Sequence, residues 1–388
     1  MARKLSLQSL RRSSTLTHEG AAAYDYSKSD PLTHLTFTMG SALFTDGFYE
    51  TEQKQVRSFA KALMAAGYRV SVEEQADRCI AIEDYRAAGC EIVAEGSWPQ
   101  APQDAFILGI KELPAGDTPL SHRHIYFGHV YKDQPGWQQT LGRFVSGEGT
   151  LYDLENLVDE SGRRVAAFGY WAGYAGAAVA VKAWLGQKTG TPLTRVDAYP
   201  DKDVMLTELG AAIADQDERP DMIVIGALGR SGSGAVDLGE ALGLSVSKWD
   251  MAETASGGPF PEIQRHSIFV NCILASPSCP RFVTAEDIQA ADRRLRVISD
   301  VSCDPESSYN PIPIYNCGTT FTDPLIRVLE GETPLDVTAI DHLPSMLPKE
   351  SSEDYSSQLV KVLLQRQAPE ADVWGRALAD FKHHIGRL

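Results

Sequence analysis

The stretch MIVIGALGRSGSGA at residues 222–235 decides the expected fold. Its apolar start, Met222–Ile225, predicts a buried strand, and Ala235–Leu242 predicts a helix. The turn between them carries three glycines at G-x-x-G-x-x-G spacing, Gly226, Gly229 and Gly232. The first glycine permits a tight turn, and the later ones permit close approach of the backbone to a phosphate. A strand, a glycine-rich turn and a helix in this order are typical of a dinucleotide-binding unit, in which the helix N-terminus stabilises a pyrophosphate.

Asp250 ends the next predicted strand, Val246–Asp250, about twenty residues beyond the glycine turn. A carboxylate at this position accepts hydrogen bonds from adenosine ribose hydroxyls and repels a 2′-phosphate, so the sequence favours NAD over NADP. Arg230 within the turn leaves some ambiguity, because a guanidinium group could accommodate that phosphate. A tight turn beside an ordinary surface aspartate is the alternative, which the strand–turn–helix context disfavours.

Strands and helices alternate in the predicted pattern on both sides of this stretch, which is typical of parallel, doubly wound sheets. A segment rich in glycine and alanine, 168–186, predicts a long packed helix between two runs of alternation. The sequence therefore predicts an α/β protein with two Rossmann-like doubly wound domains and a cleft between them. The composition of residues 1–30 predicts a disordered extension.

The charge, the apolar runs and the cysteines of the sequence disfavour several classes of function. The 388 residues carry 36 Lys and Arg against 52 Asp and Glu, a net charge of −16, which disfavours binding to nucleic acid or to an anionic membrane. No apolar run reaches the roughly eighteen residues of a membrane-spanning helix. The six cysteines show no C-x-x-C spacing and no zinc pattern, so we expect no metal and a reducing, cytoplasmic location, with one or two disulfides left open.

Three polar side chains directly follow predicted strands. Lys111 comes after AFILGI, His129 after HIYFG and Glu155 after TLYDL, where parallel sheets bind their ligands. A lysine in a low-dielectric site can act as a base, and a histidine titrates near neutrality and can carry a second proton. Glu112 and Glu155 could tune this pair. Each residue alone also has an ordinary interpretation, a surface lysine or a hydrogen-bonded core histidine, and their shared position favours the catalytic one.

Arg163 and Arg164 lead into the long predicted helix. Guanidinium geometry suits bidentate binding of a substrate carboxylate, and a solvated surface pair is the alternative.

Several strings, read together, resemble the NAD-dependent, lysine-forming saccharopine dehydrogenases. They include ILGIKELP (107–114), HIYFGHVYKDQPGW (124–137), GTLYDLE (149–155), GRRVAAFGYWAGYAGAA (162–178), KWDMAETASGGPF (248–260) and IDHLPSMLPKE (340–350). The likeness extends over about residues 68–385 and places the chain in the wider family that contains alanine dehydrogenase. It implies that the C-terminal segment returns to the first domain, so the expected bounds are 31–168 plus 343–388 for a catalytic and substrate domain and 169–342 for an NAD-binding domain.

This resemblance implies oxidation of saccharopine at its secondary amine, with hydride transfer to NAD and hydrolysis of the imine to lysine and 2-oxoglutarate. It implies that Lys111 accepts the amine proton and that His129 serves the addition of water and the collapse of the carbinolamine. Glu112 and Glu155 would modulate these two groups electrostatically.

The resemblance also implies the binding residues. Arg164, together with Arg163, would bind a substrate carboxylate, and Lys132 is a weaker candidate for the same pocket. Asp341 would lie near the nicotinamide. The remaining expected cofactor-binding residues belong to the glycine turn and the strand ends near it: Gly226, Gly229, Arg230, Ser231, Gly232, Asp250 and Cys272.

The sequence departs from the family pattern in three places. Where the family has a basic stretch after its first strand, residues 34–50 contain no lysine and no arginine. Ser231 replaces the usual cysteine of the turn, so a bridge from there to Cys272 cannot form, and Ser256 replaces the usual arginine before GGPF. The loss of a pocket cation suggests a paralogue that oxidises another N6-substituted lysine or an opine-like secondary amine.

We therefore carry three hypotheses: a saccharopine dehydrogenase, such a paralogue, and a cofactor-binding protein that has lost catalysis. The presence of Lys111 and His129 argues against the third. In each case the expected partner is a small amino-acid substrate, and the protein is expected to be a monomer or a weak homo-oligomer.

Overall fold

The computed structural model describes residues 15–17, 35–37, 53–74, 80–109, 113, 116–364 and 373–388. The chain divides into two compact units. The first unit extends to Ala167 and includes Ser352–Leu388, and the second unit is Phe168–Ser351.

The first unit is built on a parallel sheet. Its elements begin with β1 (Thr15–Thr17), β2 (Leu35–Phe37), α1 (Gln53–Ala65), β3 (Val70–Glu73), α2 (Ile82–Ala88), β4 (Glu91–Val93), β5 (Ala105–Leu108), β6 (Arg123–Tyr126), α3 (Trp137–Gly147) and β7 (Thr150–Asp153). The strands β4, β3, β2, β5, β6 and β7 pair in this order, and each of these pairs is parallel. β1, which lies in the segment expected to be a disordered extension, pairs antiparallel with β3 and β5. The carboxyl ends of β5, β6 and β7 consequently lie side by side at one edge of the sheet.

The C-terminal helices α8 (Pro348–Leu364) and α9 (Val373–Ile385) complete this unit, and α8 begins within the second unit. Phe381 of α9 meets Phe144 of α3 with ring centroids 5.8 Å apart, and Leu151 of β7 lies in the same buried cluster. Each fully buried side chain of this size stabilises the fold by about 1.5–3 kcal/mol relative to an exposed one. The strands that precede His129 and Glu155 are therefore packed against a buried hydrophobic cluster.

The second unit contains a second parallel sheet. Its elements are α4 (Gly169–Thr189), α5 (Lys202–Ala214), β8 (Asp221–Ile225), α6 (Arg230–Ala241), β9 (Ser245–Trp249), α7 (Met251–Thr254), β10 (Ile268–Asn271), β11 (Val297–Asp300), β12 (Ile326–Leu329) and β13 (Leu335–Thr338). β9, β8, β10, β11 and β13 pair in this order and are parallel, and β12 adds an antiparallel edge. The chain passes from β8 to β9 on one side and then to β10 on the other, so β8 and β10 flank a topological switch point, where such sheets bind ligands.

Glycines let α4 and α6 approach backbone to backbone within this unit. A Cβ at Gly173 would lie 1.7 Å from the Ser231 carbonyl oxygen, and one at Gly234 would lie 1.9 Å from the Tyr170 carbonyl oxygen. The Tyr170 hydroxyl also donates a 2.7 Å hydrogen bond to Asp237. The prediction that α6 begins at Ala235 was wrong, because the helix starts at Arg230 and includes Gly232 and Gly234 of the predicted turn.

Residues 343–351, which the sequence assigned to the first domain, belong to the second unit. The buried carboxylate of Glu350 accepts a 2.7 Å hydrogen bond from the backbone N–H of Lys202 at the start of α5, and the helical turn Leu343–Met346 packs on α4. These contacts hold residues 343–351 in the second unit.

Candidate active site

The glycine turn follows β8 at the switch point of the second sheet. Gly226 has φ +87°, a left-handed conformation that favours glycine, and its carbonyl accepts a 3.0 Å hydrogen bond from the Gly229 N–H. Gly229 is the N-cap of α6 and supplies no side-chain cap. The N–H groups of the first turn of a helix have no partner within the helix, so the N-terminus of α6 is suited to an anion.

The packing inside the turn leaves no room for a side chain at Gly226 or at Gly232. A Cβ at Gly232 would lie 1.9 Å from the Gly226 carbonyl oxygen, and a Cβ at Gly226 would lie 2.8 Å from Ile273 and 3.1 Å from the Cys272 carbonyl oxygen. This close packing brings the turn against the end of β10 and keeps the helix N-terminus at the sheet edge. The geometry fits a pyrophosphate that approaches the backbone closely.

Asp250 reaches the glycine turn from the end of β9. One carboxylate oxygen accepts a 3.0 Å hydrogen bond from the Leu228 N–H, and the other accepts a 2.9 Å bond from the Met251 N–H. Glu253 accepts the Asp250 N–H at 2.8 Å and completes a capping box on α7. Since an ionised carboxylate has about four acceptor positions, Asp250 retains capacity for ribose hydroxyls.

Two large apolar side chains flank this aspartate and are exposed. The relative exposure is 84% for Leu228 and 81% for Met251. Exposed apolar side chains at a site with convergent polar groups are typical of ligand binding, and the planar base of a dinucleotide would cover them. The residues present therefore fit an adenosine half at this end of the turn.

We expect Asp250→Ala to weaken NADH binding by about 10–100-fold, because hydrogen bonds to a charged group contribute about 1.5–3 kcal/mol. Fluorescence titration with NADH measures this change. Asp201→Ala is the matched control, since Asp201 caps α5 by accepting the N–H groups of Asp203 and Val204. That variant should lose about 1 kcal/mol of stability and keep its NADH affinity. Equal NADH affinity in the Asp250 variant and the unmodified protein would contradict the ribose role.

Cys272 and Asp341 follow other strands of the second sheet. Burial raises the pKa of the Cys272 thiol, so this group is a thiol rather than a thiolate at neutral pH. Every described cysteine is free: Cys90, Cys272, Cys279, Cys303 and Cys317. Asp341 lies beyond the end of β13, is 83% exposed and pairs with His342 at 3.2 Å.

The sequence analysis did not identify a buried carboxylate that lies at the ends of β10 and β11. Asp300 is 2% exposed and accepts hydrogen bonds from the Tyr315 hydroxyl at 2.6 Å and from the Asn271 amide at 3.0 Å. Burial raises its pKa, and the two donors act in the opposite direction. The aspartate that follows Val297 and Ile298 in the sequence VISD was the available signal for this residue.

The ends of β6 and β7 bring His129, Lys132 and Glu155 together in the first unit. Lys132 Nζ lies 2.7 Å from Glu155 Oε1, and His129 Nδ1 lies 3.6 Å from Glu155 Oε2. The His129 imidazole is the largest influence that lowers the pKa of Glu155, to about 2, and Lys132 lowers it further against the effect of burial. Glu155 is therefore ionised throughout the neutral range, and it contacts the His129 imidazole and the Lys132 amine.

His129 is held in an unusual backbone conformation. Its φ is +52°, in the left-handed region, where a residue other than glycine costs about 1–3 kcal/mol. The Phe127 ring stacks on the imidazole with centroids 6.1 Å apart and an angle of 17° between the planes. Such conformations concentrate at functional sites, and the imidazole of this residue lies 3.6 Å from Glu155.

Arg163 and Arg164 are exposed in the segment before α4. The Arg163 N–H donates a 3.0 Å hydrogen bond to Asp159, and Arg164 forms a β-bridge with Val158. The charge of Arg164 also acts on buried Tyr355 of α8.

Lys111 and Glu112 lie outside the described residues, so their expected roles stay predictions. The strand before them ends at Leu108, and Gly109 donates a 2.8 Å hydrogen bond to the Ile125 carbonyl of β6. Of residues 34–50, only Leu35–Phe37 are described. Within the described ranges there is no cluster of side chains suited to a metal and no helix long and apolar enough to cross a membrane.

Comparison with known proteins decides the family. Residues 56–175 match the alanine dehydrogenase/PNT N-terminal domain. The chain is 46% identical over 340 residues to the saccharopine dehydrogenase [NAD(+), L-lysine-forming] of Yarrowia lipolytica, covering 84% of this chain and 92% of the relative. It is also 46% identical over 362 residues to that of Emericella nidulans, covering 87% and 96%. The chain belongs to the lysine-forming saccharopine dehydrogenase family.

The resemblance inferred from the sequence is thus confirmed. The α/β fold is confirmed as well, because an L-alanine dehydrogenase structure aligns with a TM-score of 0.58 at 14% identity, over 85% of this chain and 94% of the other. The alternative of a paralogue with another secondary-amine substrate receives no support from these relatives, which carry the saccharopine dehydrogenase name at 44–46% identity.

Proposed function

We propose that this chain catalyses the reversible, NAD-dependent oxidation of saccharopine to L-lysine and 2-oxoglutarate. The observation that carries the proposal is its membership of the lysine-forming saccharopine dehydrogenase family over more than four fifths of its length. The glycine turn with Asp250 and the cluster of His129, Lys132 and Glu155 supply the binding and proton-transfer groups that this reaction needs.

The reaction consists of an oxidation and a hydrolysis. NAD, when bound, would supply the acceptor for the hydride of the glutamyl Cα–H. Lys111 takes the proton of the secondary amine as the C=N bond forms. His129 then takes a proton from the water that attacks this carbon and passes it to the nitrogen, which gives the carbinolamine. It next takes the remaining hydroxyl proton and passes it to the nitrogen as the C–N bond breaks and the C=O bond forms. The products are the primary amine of lysine and the keto group of 2-oxoglutarate, so atoms and electrons balance.

Carboxylates are proposed to stabilise the positively charged forms of Lys111 and His129. Glu155 stabilises positive charge on His129 and Lys132, since it stays ionised throughout the neutral range. Glu112 is proposed to act on Lys111 in the same way. Arg163 and Arg164, which are both exposed, are proposed to bind substrate carboxylates, because guanidinium geometry suits bidentate binding of such groups.

The cofactor is proposed to lie along the second unit's glycine turn. Its pyrophosphate would meet the N-terminus of α6 at Gly229, Arg230, Ser231 and Gly232, and its adenosine ribose would meet Asp250. Gly226, Cys272 and Asp341 would border it from the strand ends. We propose in addition that the enzyme is cytoplasmic and acts as a monomer or weak homo-oligomer on its small amino-acid substrate.

A direct assay tests the proposal. Lysine, 2-oxoglutarate and NADH are supplied together, and the loss of NADH absorbance is followed. Turnover that requires both lysine and 2-oxoglutarate is expected. Turnover only with a different amine or keto acid would overturn the saccharopine assignment, and NADH binding without turnover on any such pair would favour a protein that has lost catalysis.

Lys111→Met tests the proposed base. We expect kcat to fall by about two to four orders of magnitude, because general acid–base catalysis contributes about 10²–10⁴-fold and methionine keeps the length of the side chain without a basic atom. Lys361→Met on the exposed face of α8 is the control and should keep the full rate. A Lys111 variant with nearly full activity would remove this residue from the mechanism.

A further inference from the structure

Asp153 is a buried carboxylate at the end of β7 to which the proposed mechanism gives no role. It is 1% exposed, and burial raises its pKa to about 6, against the effect of the Glu155 backbone N–H. A carboxylate without a cation bonded to it is expensive to bury, so its presence here needs a reason. Functional sites are where such unfavourable groups are found most often.

The contacts of Asp153 link the two loops of the site. Its Oδ1 accepts a 2.9 Å hydrogen bond from the Glu155 N–H, which fixes the backbone from which Glu155 reaches toward His129 and Lys132. Its Oδ2 faces Gly128, where a Cβ would lie only 3.1 Å away. The residue thus touches the chain immediately before His129 and the chain at Glu155.

Titratable side chains from several elements lie near Asp153. His129 lowers its pKa and Glu155 raises it, and both come from the loops that follow β6 and β7. Tyr131, from the loop after His129, and Tyr355, from α8, are buried phenols on which the Asp153 charge acts. Burial raises the pKa of both phenols, so neither carries a negative charge beside Asp153 at neutral pH.

We propose that Asp153 is a positioning residue, which holds the backbone of Glu155 and places a second negative charge beside His129. The hydrogen bond orients Glu155, and the charge favours the protonated imidazole at the stage when the nitrogen of the product must receive its proton. The inference rests on the proposed function for its consequence in catalysis, but the arrangement it describes exists without substrate.

Two variants separate the two parts of this role. Asp153→Asn keeps an oxygen acceptor for the Glu155 N–H and removes the charge. Asp153→Ala removes both. Asp84→Asn, at another buried aspartate of the same unit on α2, is the control.

The first measurement is an NMR titration of the His129 imidazole in the full-length protein without substrate. In Asp153→Asn we expect its midpoint to move to lower pH by about half a unit or more, the effect of one unit charge several ångströms away. The Asp84 variant should leave the midpoint unchanged. An unchanged midpoint in folded Asp153→Asn overturns the inference. If that variant does not fold, Asp153→Ser, which keeps an oxygen acceptor, takes the same test.

The second measurement is the pH dependence of kcat/KM. Asp153→Ala should lose about 10–100-fold, as removal of groups that orient a catalytic residue does, and Asp153→Asn should recover most of this loss while its acidic limb moves with the His129 midpoint. A purely structural role predicts a lower melting temperature with no movement of the limb. Failure of the saccharopine assay leaves the NMR titration intact, so the two proposals fail separately.

Discussion

Replacement of His129 by asparagine is expected to lower kcat by about 10²–10⁴-fold, the usual contribution of a proton-transferring side chain. Asparagine has no group that exchanges protons near neutrality, yet it tolerates the left-handed conformation that His129 adopts at φ +52°. The substitution therefore removes the chemistry and keeps the backbone. Steady-state rates with lysine, 2-oxoglutarate and NADH provide the measurement.

Asp133→Asn is the matched control for this experiment. Asp133 lies in the same loop with φ +56° and pairs with Arg387 at 2.6 Å. Loss of such an exposed ion pair costs about 0–1 kcal/mol, so the rate should stay within about twofold of the original. A His129 variant that is as active as this control would show that the imidazole does not take part in proton transfer.

Gly232→Ala is expected to damage both the stability and the cofactor affinity of the second unit. Its Cβ would lie 1.9 Å from the Gly226 carbonyl oxygen, a backbone atom that cannot rotate away. Relief of this clash must shift the turn or the start of α6, and overpacking of this kind costs about 1–3 kcal/mol. Because the same movement displaces the N–H groups that face the pyrophosphate, NADH affinity should fall by at least about tenfold.

Gly210→Ala in α5 is the control, because nothing lies within 4 Å of a Cβ at that position. Alanine in an open helical position should stabilise the protein by about 0.5–1 kcal/mol, and NADH binding should not change. Gly173→Ala approaches the turn from α4, where its Cβ would lie 1.7 Å from the Ser231 carbonyl oxygen. Normal stability and NADH affinity in both clashing variants would contradict the close packing of the turn described above.

The candidate site also has a consequence for acid stability. The folded-state pKa of Glu155 is about 2, below its ordinary value of 4.5, so this carboxylate stabilises the folded protein above pH 4.5 and loses that contribution as the pH falls toward 2. Asp153 acts in the opposite direction. Its pKa of about 6 lies above the ordinary 3.8, so its contribution falls as the pH rises from about 4 to 6.

Much of the architecture was accessible to sequence analysis because periodicity and turn chemistry are local. Short apolar runs predicted β5, β6, β7 and β8 to within a few residues. The glycine spacing with Asp250 predicted a dinucleotide site, and the structure brings Asp250 to the glycine turn, where it accepts a hydrogen bond from the Leu228 N–H. The short strands β4 and β12 were missed, since three or four partly polar residues carry too weak a pattern to stand out.

What the sequence determined by itself is the α/β class, the family and the identity of the residues that can perform proton transfer, since each depends on residue type and spacing along the chain. What only the tertiary structure decided is which of these residues meet. The 2.7 Å pair of Lys132 and Glu155, the left-handed backbone of His129 and the burial of Asp153 all depend on the parallel register of β6 with β7. That register comes from the packing of side chains distant in sequence, which no local pattern encodes.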